Sequence, residues 1–279
     1  MTGAKGFIGT YLKKHLTKKK HAVVTLNSNL LNYENLSNEI KDLKFDHVVH
    51  LAGLSHQTNH SSTDLYQTNT IGSQNLILSI ERNFSNKKIF LASTGHVYYP
   101  SNIPHSEDSK IQPTSHYAMS KLAMEYICKS SAVKSKIIVL RLFNCTGLKQ
   151  KDSFFIPKLI KLFKEKKRII SLGNLDVERE FNNVNWLTQV IVSLLENDVP
   201  EETFNICSGK LYKLKNILEL LQQITKHYPE ISVREDLVRE NEPMKFSGNP
   251  RKLNSFLKLN EIYERPISLK RTLLEMLDI

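Results

Sequence analysis

The first half of the chain alternates short, apolar, β-branched runs with longer segments of helical periodicity, and few folds accept that rhythm. After a glycine-rich start, Phe7, Ile8, Tyr11, Leu12 and Leu16 recur at helical spacing. His21-Ala-Val-Val-Thr-Leu26 has the pattern of a short buried strand, Tyr33 to Leu43 that of a helix, and His47 to Gly53 that of a second strand. A helix around Asp64 to Glu81, a strand over Lys88 to Thr94, a helix from Ser115 to about Ser131 and a strand over Lys136 to Asn144 continue the series. Such an order predicts an α/β fold with a parallel sheet covered by helices on both faces.

Beyond Asn144 the rhythm breaks. Helices are expected near 154–167 and 214–226, separated by loops rich in Asn, Pro and charge. Between them, Val184 to Leu195 reads as a helix and Glu202 to Cys207 as a strand that returns to the main sheet. We therefore expect a nucleotide-binding domain over 1–150, rejoined by 182–207, and a smaller substrate lobe from 151–181 and 208–279. That lobe would close over the carboxyl edge of the sheet, where ligands of open α/β sheets bind.

Composition removes several other classes. A chain of 279 residues, 40% hydrophobic and 24% charged, is an ordinary globular protein rather than a disordered or fibrous one. No uncharged apolar run approaches the roughly 18 residues of a membrane span, and the first twenty residues lack the apolar core of a signal peptide. Cys128, Cys145 and Cys207 are too few and too scattered for a disulfide framework or a metal cluster, so a cytoplasmic setting and no metal are expected. The net charge of +11 comes largely from lysines on amphipathic helical patterns, such as Lys13 to Lys20 and Lys161 to Arg168. No nucleic-acid-binding signature accompanies them, so neither a nucleic acid nor a membrane is expected as a partner.

Two constellations carry chemistry. Thr2-Gly3-Ala-Lys-Gly6-Phe-Ile-Gly9 spaces its glycines as G-x-x-G-x-x-G at the mouth of an amphipathic helix. Gly3 and Gly6 would let the backbone approach a pyrophosphate, and Gly9 would let the helix pack closely on the sheet. The turn should follow a buried central strand, yet Met1 stands directly before Thr2. We expect that first strand to be missing here and the natural start to lie upstream. At the tip of the next strand, Leu26-Asn-Ser-Asn29 carries no carboxylate to meet an adenosine ribose and no arginine for a 2′-phosphate. NAD and NADP both stay open, with a lean to NADP. The second constellation is Tyr117-Ala-Met-Ser-Lys121, a phenol and an ammonium on one helix face. Lys121 should lower the Tyr117 pKa and make it a general acid or base for a carbonyl/alcohol pair. Ser93-Thr94, at the carboxyl end of a predicted strand, offers a hydroxyl to the same substrate oxygen.

These pieces, with His50-Leu-Ala-Gly-Leu-Ser55, Asn69-Thr-Ile-Gly72, Ser93-Thr-Gly-His-Val-Tyr98 and Leu140-Arg-Leu-Phe-Asn144, occur in a familiar order. Together the set resembles the extended short-chain dehydrogenase/reductase family, also called the NAD-dependent epimerase/dehydratase family, which acts on nucleotide sugars. The resemblance implies a Rossmann-type doubly wound sheet, a catalytic set of Thr94, Tyr117 and Lys121, and NAD or NADP as cofactor. Gly3, Gly6, Phe7, Ile8, Gly9, Leu51, Ala52 and Gly53, with Tyr117 and Lys121, would line that cofactor. The segment Leu172-Gly-Asn-Leu-Asp-Val-Glu-Arg-Glu-Phe181 is similar to GDP-mannose 4,6-dehydratases and GDP-6-deoxy-4-keto-mannose reductases. Arg239-Glu-Asn-Glu-Pro243 resembles a later segment of the family, so Arg179, Arg239 and Asn144, with Thr94, are implied in binding the sugar nucleotide, and a homodimer through the helices near 64–81 and 115–131 is implied as well.

Dehydratases of this group follow their threonine with two carboxylates that perform the elimination. Here Gly95 and His96 stand in those places. We therefore expect a 4-keto reductase acting on a GDP-linked 6-deoxy-4-keto-hexose. A UDP- or dTDP-sugar 4-epimerase is the alternative, followed by a 4,6-dehydratase or a non-catalytic dinucleotide-binding scaffold. His96 has a plain reading as a polar residue facing solvent at the cleft, and Tyr99, where a glycine is usual, would narrow the pocket.

Overall fold

The computed structural model describes residues 1–55, 60–84, 86–130, 133–237 and 243–279. Its centre is a four-stranded parallel sheet in the order β1 (His47–His50), β2 (Lys88–Thr94), β3 (Lys136–Leu142) and then the strand Thr203–Ile206. Side chains alternate between its faces, as the two-residue period requires. Val49, Phe90, Ile138 and Leu140 pack with Leu12 and Leu16 of α1 (Phe7–Lys18) and with the helix Val184–Glu196. Val48, Ile89, Leu91, Ile137 and Val139 pack on the other side. Their partners come from α2 (Tyr33–Lys41), α4 (Gly72–Asn83) and α5 (His116–Cys128); the short α3 (Ser62–Tyr66) leads into α4 through the π-helical turn Gln67–Ile71. Each such residue, taken fully out of water, contributes about 1.5–3 kcal/mol before entropy is charged. The doubly wound α/β architecture expected from the sequence is therefore present.

One expected strand is not. Among the described residues no ladder includes 21–26. That segment reaches the sheet through residue 1: Met1 N donates to Val24 O at 2.7 Å, and Leu26 N to Met1 O at 3.3 Å. Thr2 in turn forms a parallel bridge with His50, its N donating to Val49 O at 3.0 Å. Residues 1–2 thus fill only the carboxyl end of the lane between 21–26 and β1. A ladder needs a neighbour about 4.8 Å away along its whole length, so the apolar run at 21–26 stays unladdered.

The rest of the chain builds a second core. Helices Phe155–Lys164, Leu214–Thr225 and Leu269–Leu277 bury Ile156, Leu159, Phe163, Ile217, Leu221 and Leu273 beside the parallel pair Ile169–Leu172 and Glu230–Val233. A three-stranded sheet of Lys245–Phe246, Glu178–Glu180 and Leu211–Lys213 faces the carboxyl edge of the main sheet. The helix Arg251–Leu259 leans the other way, placing Leu253 and Leu257 in the first core.

Candidate active site

The turn from Thr2 to Gly9 folds tightly onto the loop after β1. Gly3 has φ +67°, in the left-handed region that side chains disfavour. A Cβ there would lie 2.6 Å from both Ala52 N and Leu51 C, and one on Gly9 would lie 2.1 Å from Gly3 O. Gly6 opens α1 without a side-chain cap, so the first-turn N–H groups and the positive helix end are offered to an anion. A cradle that any side chain would fill suits a dinucleotide pyrophosphate. At the tip of 21–26, Asn27 N and Ser28 N donate to the Glu39 carboxylate at 2.9 and 2.8 Å. Burial works to raise the Glu39 pKa, but these N–H groups outweigh it and hold the carboxyl low. The sequence showed no carboxylate in that loop because this one comes from α2.

Ser115 caps α5, its hydroxyl accepting from Ala118 N at 3.2 Å, which fixes Tyr117 in the first turn and Lys121 one turn later. Thr94 ends β2 and is buried, and the Tyr117 hydroxyl is hydrogen-bonded to it. Lys121 is buried and donates from Nζ to Ala92 O at 2.8 Å. A Cβ on Gly53 would stand 3.2 Å from that Nζ. Thr94, Tyr117, Lys121 and Gly53 thus meet at the carboxyl edge of the sheet, joined to the glycine turn through Leu51 and Ala52. The expected lowering of Tyr117 is not found. Burial pushes the phenol up to about 12, opposed by the bond to Thr94 and helped by Cys145. Burial also brings Lys121 down to about 8. Desolvation governs both groups, and the ammonium is committed to a carbonyl.

Asn69, quoted from the sequence without a role, connects the parts. It sits in the π-helical turn, a distortion that concentrates at functional sites. Its Oδ1 accepts from Leu54 N at 2.8 Å, and its Nδ2 donates to Leu54 O at 3.1 Å and to Ser120 Oγ at 3.0 Å. Ser120 donates onward to Tyr117 O at 2.8 Å. In the other direction Ser73 Oγ donates to Asn69 O at 2.6 Å and faces His50 Nε2 at 2.7 Å. His50 Nδ1 faces Thr2 Oγ1 at 2.6 Å, and that hydroxyl accepts from Ala52 N at 3.2 Å. Burial first, then the Lys121 charge, lowers His50 to about 3, so the ring is neutral. With Ser73 and Thr2 engaged as described, the network assigns the proton to Nε2.

A buried ion pair was also missed. Glu125, one turn beyond Lys121, accepts from Ser93 Oγ and from Arg141 Nε and Nη2, the latter two at 3.1 and 2.7 Å. Arg141 Nη1 donates to Tyr98 OH at 2.9 Å, and Tyr98 donates to Asn205 Oδ1 at 2.7 Å. The one available signal was an arginine inside the apolar run of β3.

The second core supplies the other wall. Asn144 lies just past β3, its carbonyl accepting from Asn182 N at 2.8 Å. Arg179 lies in register with Phe246 on one side and Tyr212 on the other, and donates to Glu178 O at 2.8 Å. Phe246 stacks on His96, with centroids 4.9 Å apart and planes 4° apart. His96 is therefore covered by an aromatic ring instead of facing open solvent. Tyr99 is 44% exposed, with the Lys110 ammonium 4.9 Å from its ring centre. Arg239 lies outside the described residues.

The chain is similar to several known proteins. The GDP-6-deoxy-D-talose 4-dehydrogenase of Aggregatibacter actinomycetemcomitans is 35% identical over 264 residues, covering 92% of this chain and 90% of that protein. The GDP-6-deoxy-D-mannose reductase of Pseudomonas aeruginosa is 28% identical over 271 residues, covering 91% and 88%. The structure of RMD from Pseudomonas aeruginosa complexed with NADPH superposes with a TM-score of 0.86 at 28% identity, over 99% of this chain and 96% of that one. Residues 1–207 match the family model described as NAD dependent epimerase/dehydratase family, and the chain belongs to that family.

Proposed function

We propose that the protein is an NAD(P)-dependent 4-keto reductase of a GDP-linked 6-deoxy-4-keto-hexose. The observation that supports this reading is the Tyr117 hydroxyl bonded to Thr94, on the helix that carries Lys121 one turn further on. A phenol held at about 12 is a proton donor at neutral pH, the form that reduction of a ketone consumes. The relatives named for GDP-6-deoxy sugars supply the substrate class.

NAD or NADP would be held by Gly3, Gly6, Phe7, Ile8 and Gly9 at the N-terminus of α1, and by Leu51, Ala52 and Gly53. When bound, it supplies the hydride. Thr94 and Tyr117 orient the C4 oxygen, and Tyr117 passes its proton to that oxygen as the carbon becomes tetrahedral. Lys121, still charged at pH 7, stabilises the phenolate left behind. Asn144, Arg179 and Arg239 would hold the sugar nucleotide, guanidiniums being suited to diphosphate oxygens. Elimination chemistry is disfavoured by the ground after Thr94. A Cβ on Gly95 would lie 2.8 Å from the Phe143 ring, leaving no room for a carboxylate, and His96 is stacked on Phe246.

In this reading 1–150 with 182–207 is the nucleotide domain and 151–181 with 208–279 the substrate lobe. Exposed Leu78, Met119 and Tyr126 on α4 and α5 suit a homodimer through those helices. No helix among the described residues is long and apolar enough to cross a membrane, which accords with a cytoplasmic enzyme. The test is turnover with GDP-, UDP- and dTDP-linked 4-keto sugars, followed by NAD(P)H absorbance. Oxidation of NAD(P)H with the GDP-linked ketone alone is expected. Interconversion of UDP-sugars without net NAD(P)H change would establish the epimerase instead.

A further inference from the structure

We propose that Glu180 and Phe246 are positioning residues that brace the second core against Thr94. The kinetic consequences rest on the reductase reading, and the brace itself rests on the structure alone. Glu180 ends the strand Glu178–Glu180 and is fully buried, and its carboxylate gathers backbone N–H groups from two other segments. Oε1 accepts from Ser208 N, from Gly209 N at 3.1 Å and from Ser208 Oγ at 3.1 Å. Successive N–H groups converging on one oxygen are the way a backbone builds an anion-binding nest, and Gly209 takes the φ of +73° found in such turns. Oε2 accepts from Gly248 N at 3.1 Å. The ladder between Lys245–Phe246 and 178–179 stops at Phe246, and the Glu180 side chain carries the contact on to Gly248. That backbone is tightly seated, since a Cβ on Gly248 would lie 2.5 Å from Cys207 Sγ and 2.7 Å from Phe143 Cε2.

Phe246 passes this constraint to the edge of the main sheet. Its buried ring covers His96 in the parallel stack described above and lies 5.5 Å from the Phe143 ring. His96 N donates to Thr94 Oγ1 at 3.2 Å. A hydroxyl oxygen that accepts one N–H has its remaining lone pair and its own proton confined in direction. A displaced His96 would therefore free Thr94 to turn away from the Tyr117 hydroxyl to which it is bonded. At a reacting centre a misplacement of about 1 Å can cost roughly 10²-fold in rate. The carboxylate is specific to this task, because its two oxygens serve three N–H groups. A glutamine has one acceptor oxygen, so its amide would face either Gly248 N or the Ser208 and Gly209 pair with N–H against N–H. The segment keeps a second hold in such a variant, since His105 N donates to Ser247 O at 2.9 Å and Asn249 N to His105 O at 2.7 Å. Glu180 adds the exact placement of 246–248 against 178–180 and 207–209.

The test uses Glu180→Gln, Phe246→Leu and the double variant, each assayed well below its Tm. Glu180→Gln should lower kcat with the GDP-linked ketone by about tenfold or more, and Phe246→Leu by about fivefold or more. Calorimetric titration should find NAD(P)H affinity within about twofold of the unaltered chain in both, because the glycine turn is untouched. Both residues act along one path, so the double variant should fall little below the worse single variant, and a fall equal to the product of the two overturns the proposal. Proton NMR of the His96 ring, assigned with His96→Gln, needs no substrate. The Phe246 ring displaces that signal, Phe246→Leu marks its place without the ring, and Glu180→Gln should move it at least halfway to that mark. A folded Glu180→Gln with the His96 signal unmoved, or with kcat unchanged, overturns the brace. Should Glu180→Gln be insoluble, Phe246→Leu must still lower kcat with cofactor affinity kept, and failure to do so is equally fatal. If the unaltered chain does not reduce the GDP-linked ketone, the reductase reading falls and the His96 signal decides the brace by itself.

Discussion

Replacing Arg141 with Met should cost far more than the loss of a hydrogen-bond donor. Arg141 and Glu125 have side chains only 8% and 7% exposed, so the variant leaves a carboxylate in the sheet–helix interior with Ser93 as its one remaining partner named above. Removing one member of such a pair costs about 3–5 kcal/mol, because the desolvation of the other is no longer offset. At about 2–4 °C per kcal/mol, Tm should fall by at least 6 °C. Removing both charges in Arg141→Met/Glu125→Leu withdraws the orphaned carboxylate. What remains is the Ser93 and Tyr98 hydroxyls with a partner fewer, at about 1 kcal/mol each. The double variant should therefore be more stable than Arg141→Met alone, by about 1–3 kcal/mol. Urea unfolding at one pH, with unchanged slope m, reads all three differences. A double variant no more stable than Arg141→Met would refute the electrostatic account and leave packing as the explanation. Glu125 also lies on α5 with Tyr117 and Lys121, and Ser93 adjoins Thr94, so Arg141→Met should lower kcat as well.

Three further outcomes are expected. His50 stays neutral in the folded chain down to about pH 3, whereas an unfolded histidine takes up a proton near 6.5. Its contribution is complete above pH 6.5 and is lost as pH falls from there toward 3, amounting to about 5 kcal/mol. His50→Gln should flatten this acid limb in urea midpoints at pH 7, 5.5 and 4.5, and an unaltered limb would refute the assignment. Gly3→Ala forces a Cβ into Leu51 and Ala52 at a left-handed φ, so stability should drop by about 2 kcal/mol or more and NAD(P) affinity at least tenfold by calorimetric titration. Tyr117→Phe should reduce turnover by about 10²–10⁴ while leaving cofactor affinity nearly unchanged, and near-normal rates would remove Tyr117 from the chemistry.

The parts legible in the sequence were those that depend on local pattern. Strands at 47, 88, 136 and 203 and their helices followed from apolar runs and 3.6-residue spacing, because both faces of a parallel sheet are buried. The strand at 21–26 had the same pattern but no neighbour in the next lane, and pairing is not a property of the segment that pairs. Helices Arg251–Leu259 and Leu269–Leu277 were passed over inside a stretch read only as a lobe. In the candidate site, Thr94, Tyr117 and Lys121 were legible through spacing and order, and the fold brings them to one edge of the sheet. Asn69, Glu125 and His50 act through long-range hydrogen bonds, and a polar residue on a helix or strand gives no sign of which partner will reach it. Gly95 was read from the sequence as the place of a missing carboxylate, and the ring of Phe143 behind it adds the steric reason.

The Tyr117–Lys121 pair illustrates how burial can reverse an inference drawn from charge alone. Four residues apart on a helix, an ammonium and a phenol suggest a lowered phenol pKa. In the folded chain both groups leave water, and desolvation moves each toward its neutral form: the phenol up to about 12, the ammonium down to about 8. The Tyr117 phenol is therefore held in its protonated form, and burial draws the Lys121 ammonium down from its usual range. Oxidation of an alcohol would have to begin by removing the phenol proton. Reduction of a ketone begins with that proton in place and ends with a phenolate one helical turn from a cation. A protonated Tyr117 bonded to Thr94 is the state from which the proposed ketone reduction would start.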